Sequence, residues 1–137
     1  RDYYASRGLG DVYKRQSLSH VLVSEVLREE LGFTGVVCTD DLTMGAISDT
    51  YGMGEAAVLA VEAGCDLLLV CHGADNLTQA RQALLGAVDG GRISPARLEE
   101  SVYRILALKA EYGLTNQTVE APDVAALNQA VQALLGE

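Results

Sequence analysis

Two short apolar runs constrain this chain of 137 residues more than any other feature. Val36-Val37-Cys38-Thr39 follows Gly35, is β-branched at three of its four positions, and reads as a buried strand over Val36–Thr39. Leu67-Leu68-Leu69-Val70-Cys71 begins 31 positions later and reads as a second strand. That separation is the length of one βαβ unit. Neither run alternates apolar with polar residues, so helices are expected on both faces of a parallel sheet. Two strands cannot make such a sheet alone. The chain is therefore expected to belong to a larger α/β architecture, either a doubly wound sheet or a (β/α)8 barrel, of which a whole one needs about 250 residues.

The segments around these runs carry helix signals. Ser19 is positioned to cap a helix over His20–Leu31, with Val21, Leu22, Val26 and Leu27 on one face and Gly32 as its stop. Asp40 to Gly54 reads as a loop, given Gly45, Gly52, Gly54 and Asp49. Glu55–Ala63 is alanine-rich and apolar on most sides, the pattern of a buried helix ended by Gly64. Leu77–Val88 is amphipathic and stops at Gly90-Gly91. Ser94-Pro95 sets a cap with proline in the first helical position, and Leu98, Val102, Ile105, Leu106 and Leu108 line the helix that runs on to Gly113. Pro122–Leu135 is weakly helical.

Charge removes several function classes. There are 10 Lys and Arg against 19 Asp and Glu, a net of −9, which repels duplex nucleic acid and anionic membrane surfaces. No apolar run approaches the roughly 20 residues of a membrane helix. The three cysteines, Cys38, Cys65 and Cys71, are an odd count, and two of them fall in the strand runs. They read as buried free thiols, which points to the cytoplasm as the compartment.

Arg1–Gln16 stands apart. It holds four of the ten basic residues and two acidic ones, without periodicity, and Ser6–Gln16 resembles the in-frame translation of a sequencing adapter. Residues 1–16 are therefore expected to be disordered and to lie outside the fold. Without them the chain carries 6 basic and 17 acidic groups, a net of −11.

Any chemistry belongs at Thr39-Asp40-Asp41. Parallel α/β folds place their sites at the carboxyl ends of strands, and the two carboxylates follow the first run. Adjacent carboxylates can hold a divalent metal, do acid/base work or attack covalently. An aspartate after a strand can equally cap a turn, and spacing alone leaves both open. A phosphoacceptor receiver module would need a further aspartate at another strand's end and a lysine beyond it. Asp66 is at the wrong end of its strand, and Lys109, the only lysine after Gln16, lies in a helix. Gly52-Met53-Gly54-Glu55 lacks the lysine of a phosphate loop, and Cys65, Cys71 and His72 lack zinc spacing. No metal or cofactor is expected.

The run Leu27-Arg28-Glu29-Glu30-Leu31-Gly32-Phe33-Thr34-Gly35-Val36-Val37-Cys38-Thr39-Asp40-Asp41-Leu42-Thr43-Met44 resembles the signature of glycoside hydrolase family 3. Gly54-Glu55-Ala56-Ala57, Ala63-Gly64-Cys65-Asp66-Leu67-Leu68-Leu69 and Gly91-Arg92-Ile93-Ser94 follow in the family's order. Leu98, Ser101-Val102, Arg104-Ile105-Leu106 and Leu108-Lys109 complete the pattern. The Thr39–Met44 sequence is similar to the bacterial β-N-acetylglucosaminidase branch; the β-glucosidase branch usually has tryptophan where Asp41 stands.

The resemblance implies a (β/α)8 barrel, with residues 17–114 supplying about its last two βα units and residues 115–137 a linker and weak C-terminal helix. It implies a retaining glycosidase acting on terminal N-acetylglucosamine, as in peptidoglycan fragments, with Asp40 as nucleophile. Asp41, Met44 and His72 become candidates for touching the sugar or holding the site in shape; Asp41 is expected to fix its loop by accepting backbone hydrogen bonds. The family's proton donor resembles an Asp-Ser-His arrangement on an upstream loop, and nothing in Ser17–Glu137 matches it. The chain alone is thus expected to be inactive, marginally stable and self-associating. A family 3 β-glucosidase piece and a non-catalytic α/β scaffold are the alternatives.

Overall fold

The structure is a computed structural model and describes residues 18–44, 47, 50–118 and 120–136. The expected detachment of Arg1–Gln16 lies outside the described residues, as do Gly45 and Asp49. The elements run α1 (Val21–Glu30), β1 (Cys38–Asp41), α2 (Met53–Ala63), β2 (Leu67–Leu69), α3 (Ala74–Asp89), α4 (Pro95–Glu111) and α5 (Val124–Leu135). The two strands pair in parallel through the α2 crossover.

The core gathers on α2. Ala56, Ala57 and Ala60 are wholly buried there, packed with Leu18, Val23, Leu42, Ile47, Met53, Cys65 and Ala80. Small side chains let helices approach closely: a Cβ on Gly54 would lie 3.0 Å from the Ala83 Cβ of α3. Val58, Val61, Ala87 and Ile93 extend the core toward the α3–α4 turn. Gly64 ends α2 at φ 114, and a Cβ there would meet Ser24 Oγ at 2.8 Å, so glycine is required twice over.

α1 is wound as a π-helix, its closing bond running from the Leu31 amide to the Val26 carbonyl at 2.9 Å. Ser24 and Arg28 point the same way from it. The Ser24 hydroxyl donates to the Ala63 carbonyl at 2.9 Å, and Arg28 reaches Asp66 at 2.6 Å. The helix signals at α4 act as read: Ser94 Oγ accepts from the Arg97 amide at 3.2 Å, with Pro95 following.

Asp66, just before β2, has no exposed side-chain surface and gathers three guanidinium groups, from Arg28 on α1 and from Arg97 and Arg104 on α4. It also accepts from the Ser101 hydroxyl at 2.7 Å and the Val37 amide at 3.0 Å. Arg28 also donates to the carbonyls of Phe33, Gly35 and Gly64, and Arg97 to that of Cys65. One carboxylate thereby ties together α1, both strand entries and α4. A second, exposed clamp joins Arg92 to Glu55 and Glu62 with bonds of 2.7 to 3.0 Å.

Several expectations are corrected. β1 begins at Cys38 and not Val36, because the Val37 amide is taken by the Asp66 side chain before the ladder starts. It also runs on through Asp40 and Asp41. β2 ends at Leu69 and not Cys71, because the Cys71 amide leaves the ladder for Asp41 Oδ1 at 3.1 Å. α2 and α3 start earlier than expected, at Met53 and Ala74, and Ile47, Thr50 and Tyr51 are helical within the expected loop, Ile47 being buried in the core. Among the described residues only one sheet face is covered: Thr39 and Leu68 turn to the core, while Leu67 and Leu69 are 43% and 39% exposed. Cys38 and Cys71 are exposed for the same reason, and only Cys65 is a buried thiol. Burial, with Asp66 adjacent, pushes the Cys65 pKa up to about 11.

Burial works to raise the Asp66 pKa, but the Val37 amide, the Ser101 hydroxyl and the Arg28 and Arg104 partners outweigh it and lower the pKa. The unfolded carboxyl, near 3.9, then binds its proton at higher pH than the folded one. Stability is full above that value and falls as pH drops through the folded pKa. Asp66→Asn is expected to cost about 3 kcal/mol at pH 7, because three buried or half-buried cations lose their counter-charge. It should also flatten the loss of stability between pH 5 and 3, read by urea unfolding at both values.

Candidate active site

The strand register puts the acid pair on a bulge. Cys38 pairs with Leu67 and Asp41 with Leu69, so Thr39 and Asp40 together face Leu68 alone. Thr39 is buried, and its Oγ1 accepts from the Leu69 amide at 3.0 Å, standing in for a main-chain acceptor. The Leu42 amide rejoins the ladder on the Leu69 carbonyl at 2.9 Å. Asp40, the extra residue, is turned outward and exposed, with Oδ1 accepting from the Asp41 amide at 2.8 Å.

Asp41 is held quite differently. Its side chain is 16% exposed, and both oxygens are occupied. Oδ2 accepts from the Thr43 hydroxyl at 2.5 Å, and Oδ1 accepts from the amides of Thr43 at 3.0 Å and Cys71 at 3.1 Å. The Thr43 hydroxyl, followed by the Thr43 and Cys71 amides, lowers the Asp41 pKa to about 2 against a smaller effect of burial. Asp41 thus remains an anion that brackets the ends of β1 and β2. Such a carboxylate, charged and fully solvated by donors, is a poor base and a poor nucleophile.

His72 lies beyond the end of β2, 82% exposed, with Nε2 3.8 Å from Asp41 Oδ2. Met44 closes the turn after β1, its amide donating to the Asp41 carbonyl at 3.2 Å and its side chain 47% exposed. Asp40, Asp41 and His72 are therefore brought together at the carboxyl ends of the strands, with Met44 beside them. The Cys71 thiol in the same cluster has its pKa raised, first by desolvation and then by the Asp41 charge, which leaves it little thiolate character. Among the described residues no group of three or more His, Cys, Asp or Glu side chains is arranged to hold a metal ion. Sequence reasoning missed Thr43 and the ladder role of Thr39; the hydroxyls flanking the acid pair in Thr39–Thr43 were the available signal.

Comparisons with known proteins bear on this geometry. Residues 7–108 match the glycosyl hydrolase family 3 N-terminal domain, a match that opens within the stretch ending at Gln16. A β-N-acetylglucosaminidase/β-glucosidase of Cellulomonas fimi is 37% identical over 71% of this chain and 17% of its own length. A β-hexosaminidase of Neisseria meningitidis is 38% identical over 50% of this chain and 19% of its own. The solved structure of a family 3 β-N-acetylglucosaminidase from a Paenibacillus species superposes with a TM-score of 0.74 at 47% identity, covering 80% of this chain and 21% of that one. The chain thus spans about a fifth of the length of these relatives. A family match over most of its residues and a parallel strand pair that superposes on a solved member lead to one conclusion: the chain belongs to glycoside hydrolase family 3.

Proposed function

We propose that this chain carries the nucleophile of a retaining glycosidase that removes terminal β-linked N-acetylglucosamine, and that Asp40 is that nucleophile. The observation that carries the reading is the contrast between two adjacent carboxylates. Asp41 has three donors on its oxygens, whereas among the described residues Asp40 projects from the bulge with only the Asp41 amide on Oδ1. A carboxylate that attacks an anomeric carbon must be ionised and open to approach, forming a covalent glycosyl-enzyme that water then hydrolyses. Asp41, Thr43 and the Cys71 amide keep the loop around it in place, and His72 and Met44 stand where the sugar would enter.

On this reading residues 17–114 supply the last two βα units of a (β/α)8 barrel, followed by a linker and C-terminal helix over 115–137. Protonation of the leaving oxygen falls to a group outside Ser17–Glu137. The uncovered sheet face at Leu67 and Leu69 then meets further barrel strands, or a second copy when the chain is alone. The names borne by the relatives favour an N-acetylglucosaminide over a glucoside, and the Cellulomonas fimi relative carries both.

A chimera in which residues 18–114 replace the matching segment of the Paenibacillus enzyme tests the assignment. It is expected to cleave an aryl β-N-acetylglucosaminide with retention and faster than the aryl β-glucoside; the reverse preference would overturn the sugar assignment. Asp40→Ala should lower kcat/KM by about 10³-fold or more, with azide restoring turnover. A fluorosugar label found on Asp41 would move the nucleophile. The 137-residue chain by itself is expected to be inactive and to sediment as an oligomer; an active monomer would show that the proton donor lies within it.

A further inference from the structure

We infer that Thr39 is a positioning residue for Asp40, acting through the bulge in β1; the inference rests on Asp40 being the nucleophile. In an unbroken parallel ladder the Leu69 amide would take a main-chain carbonyl of β1. Here it donates to Thr39 Oγ1 at 3.0 Å, and the ladder resumes only at Leu42, whose amide reaches the Leu69 carbonyl. The side-chain oxygen fills the place of the missing main-chain partner, which is what allows β1 to carry one residue more than β2 between the paired positions 38 and 41.

The consequence for Asp40 follows from the period of a strand. Thr39 is 3% exposed and faces the core, and Asp40, the next residue, faces outward. Without the hydroxyl, the Leu69 amide is left partly buried with no acceptor, a cost met most simply by sliding a β1 carbonyl into register. With Cys38 kept opposite Leu67 by the Val37–Asp66 contact, closing the bulge brings Asp40 into a flat ladder position opposite Leu69 and carries Asp41 one position on, away from the Cys71 amide. Thr39 is thus the group that keeps Asp40 on the bulge. Valine at this position keeps the shape and removes the acceptor, while serine keeps the acceptor and removes a methyl.

The full chain provides a direct readout, because the Asp41 amide donates to Asp40 Oδ1 and its nitrogen and proton shifts respond when Asp40 ionises. The response that counts is the part of the pH-dependent shift that Asp40→Asn abolishes. Thr39→Ser should retain it and Thr39→Val should lose at least half, while the Val37 amide, held by Asp66, keeps its shift in both. A wild-type response in Thr39→Val overturns the inference. So does loss of the Val37 signal, which would make Thr39 a general support of the fold, and so does a failure of serine to substitute. In the chimera, Thr39→Val should lower kcat about tenfold or more with little change in KM, and Thr39→Ser should stay within about threefold. An unchanged kcat for Thr39→Val overturns the inference as well. Full activity in Asp40→Ala instead overturns the nucleophile assignment, whatever the amide titration shows, so the two failures are distinguishable.

Discussion

Asp66 is the charge on which the arrangement of the chain depends. A buried carboxylate is tolerated only when donors replace the water it gives up, and Asp66 has them from Arg28, Arg97, Arg104, Ser101 and the Val37 amide. These partners come from three places far apart in sequence: α1, the approach to β1, and α4. The Val37 contact determines where β1 begins, Arg28 fixes the roll of α1, and the α4 residues dock that helix against the entry of β2. The network sits at the amino ends of the strands. The acid pair sits at the carboxyl ends, so the stabilising network and the candidate site occupy opposite ends of the same two strands.

At the carboxyl end the governing device is local and neutral. A threonine hydroxyl replaces a main-chain acceptor, one residue is squeezed out of register, and the squeezed residue is the exposed aspartate. The neighbouring aspartate does the opposite work, spending both its oxygens on holding the loop to β2. Two chemically identical side chains, adjacent in sequence, acquire different roles through the number of donors each receives.

The apolar surface left open is consistent with a chain that covers about a fifth of its relatives. Leu67 and Leu69 are half-exposed on the sheet, Leu98, Val102 and Leu106 are exposed on α4, and Leu127, Val131 and Leu134 are exposed on α5, which has no buried residue. Its stripe of apolar positions is amphipathic in pattern, yet nothing among the described residues covers it.

Periodicity and punctuation were sufficient for the elements themselves. The glycines at 32, 64 and 91, the Ser94-Pro95 cap and the alanine-rich α2 act in the structure as the sequence leads one to expect, because each is a local effect decided within a few residues. The acid pair was legible as a candidate site, and the motif order was legible as family membership. Strand limits were not, because they depend on side chains from elsewhere: Asp66 takes the Val37 amide and Asp41 takes the Cys71 amide. Nor was the exposure of Cys38 and Cys71, since an apolar run does not reveal whether a second layer covers it. The surroundings of Asp40 and Asp41 differ through the local Thr43 bonds and through two contacts made only when the strands come together, the Cys71 amide on Asp41 and the Leu69 amide on Thr39. The sequence by itself determined the elements and the family; the tertiary structure decided how the two carboxylates are set, because the Cys71 amide on Asp41 and the bulge that turns Asp40 outward both need the second strand.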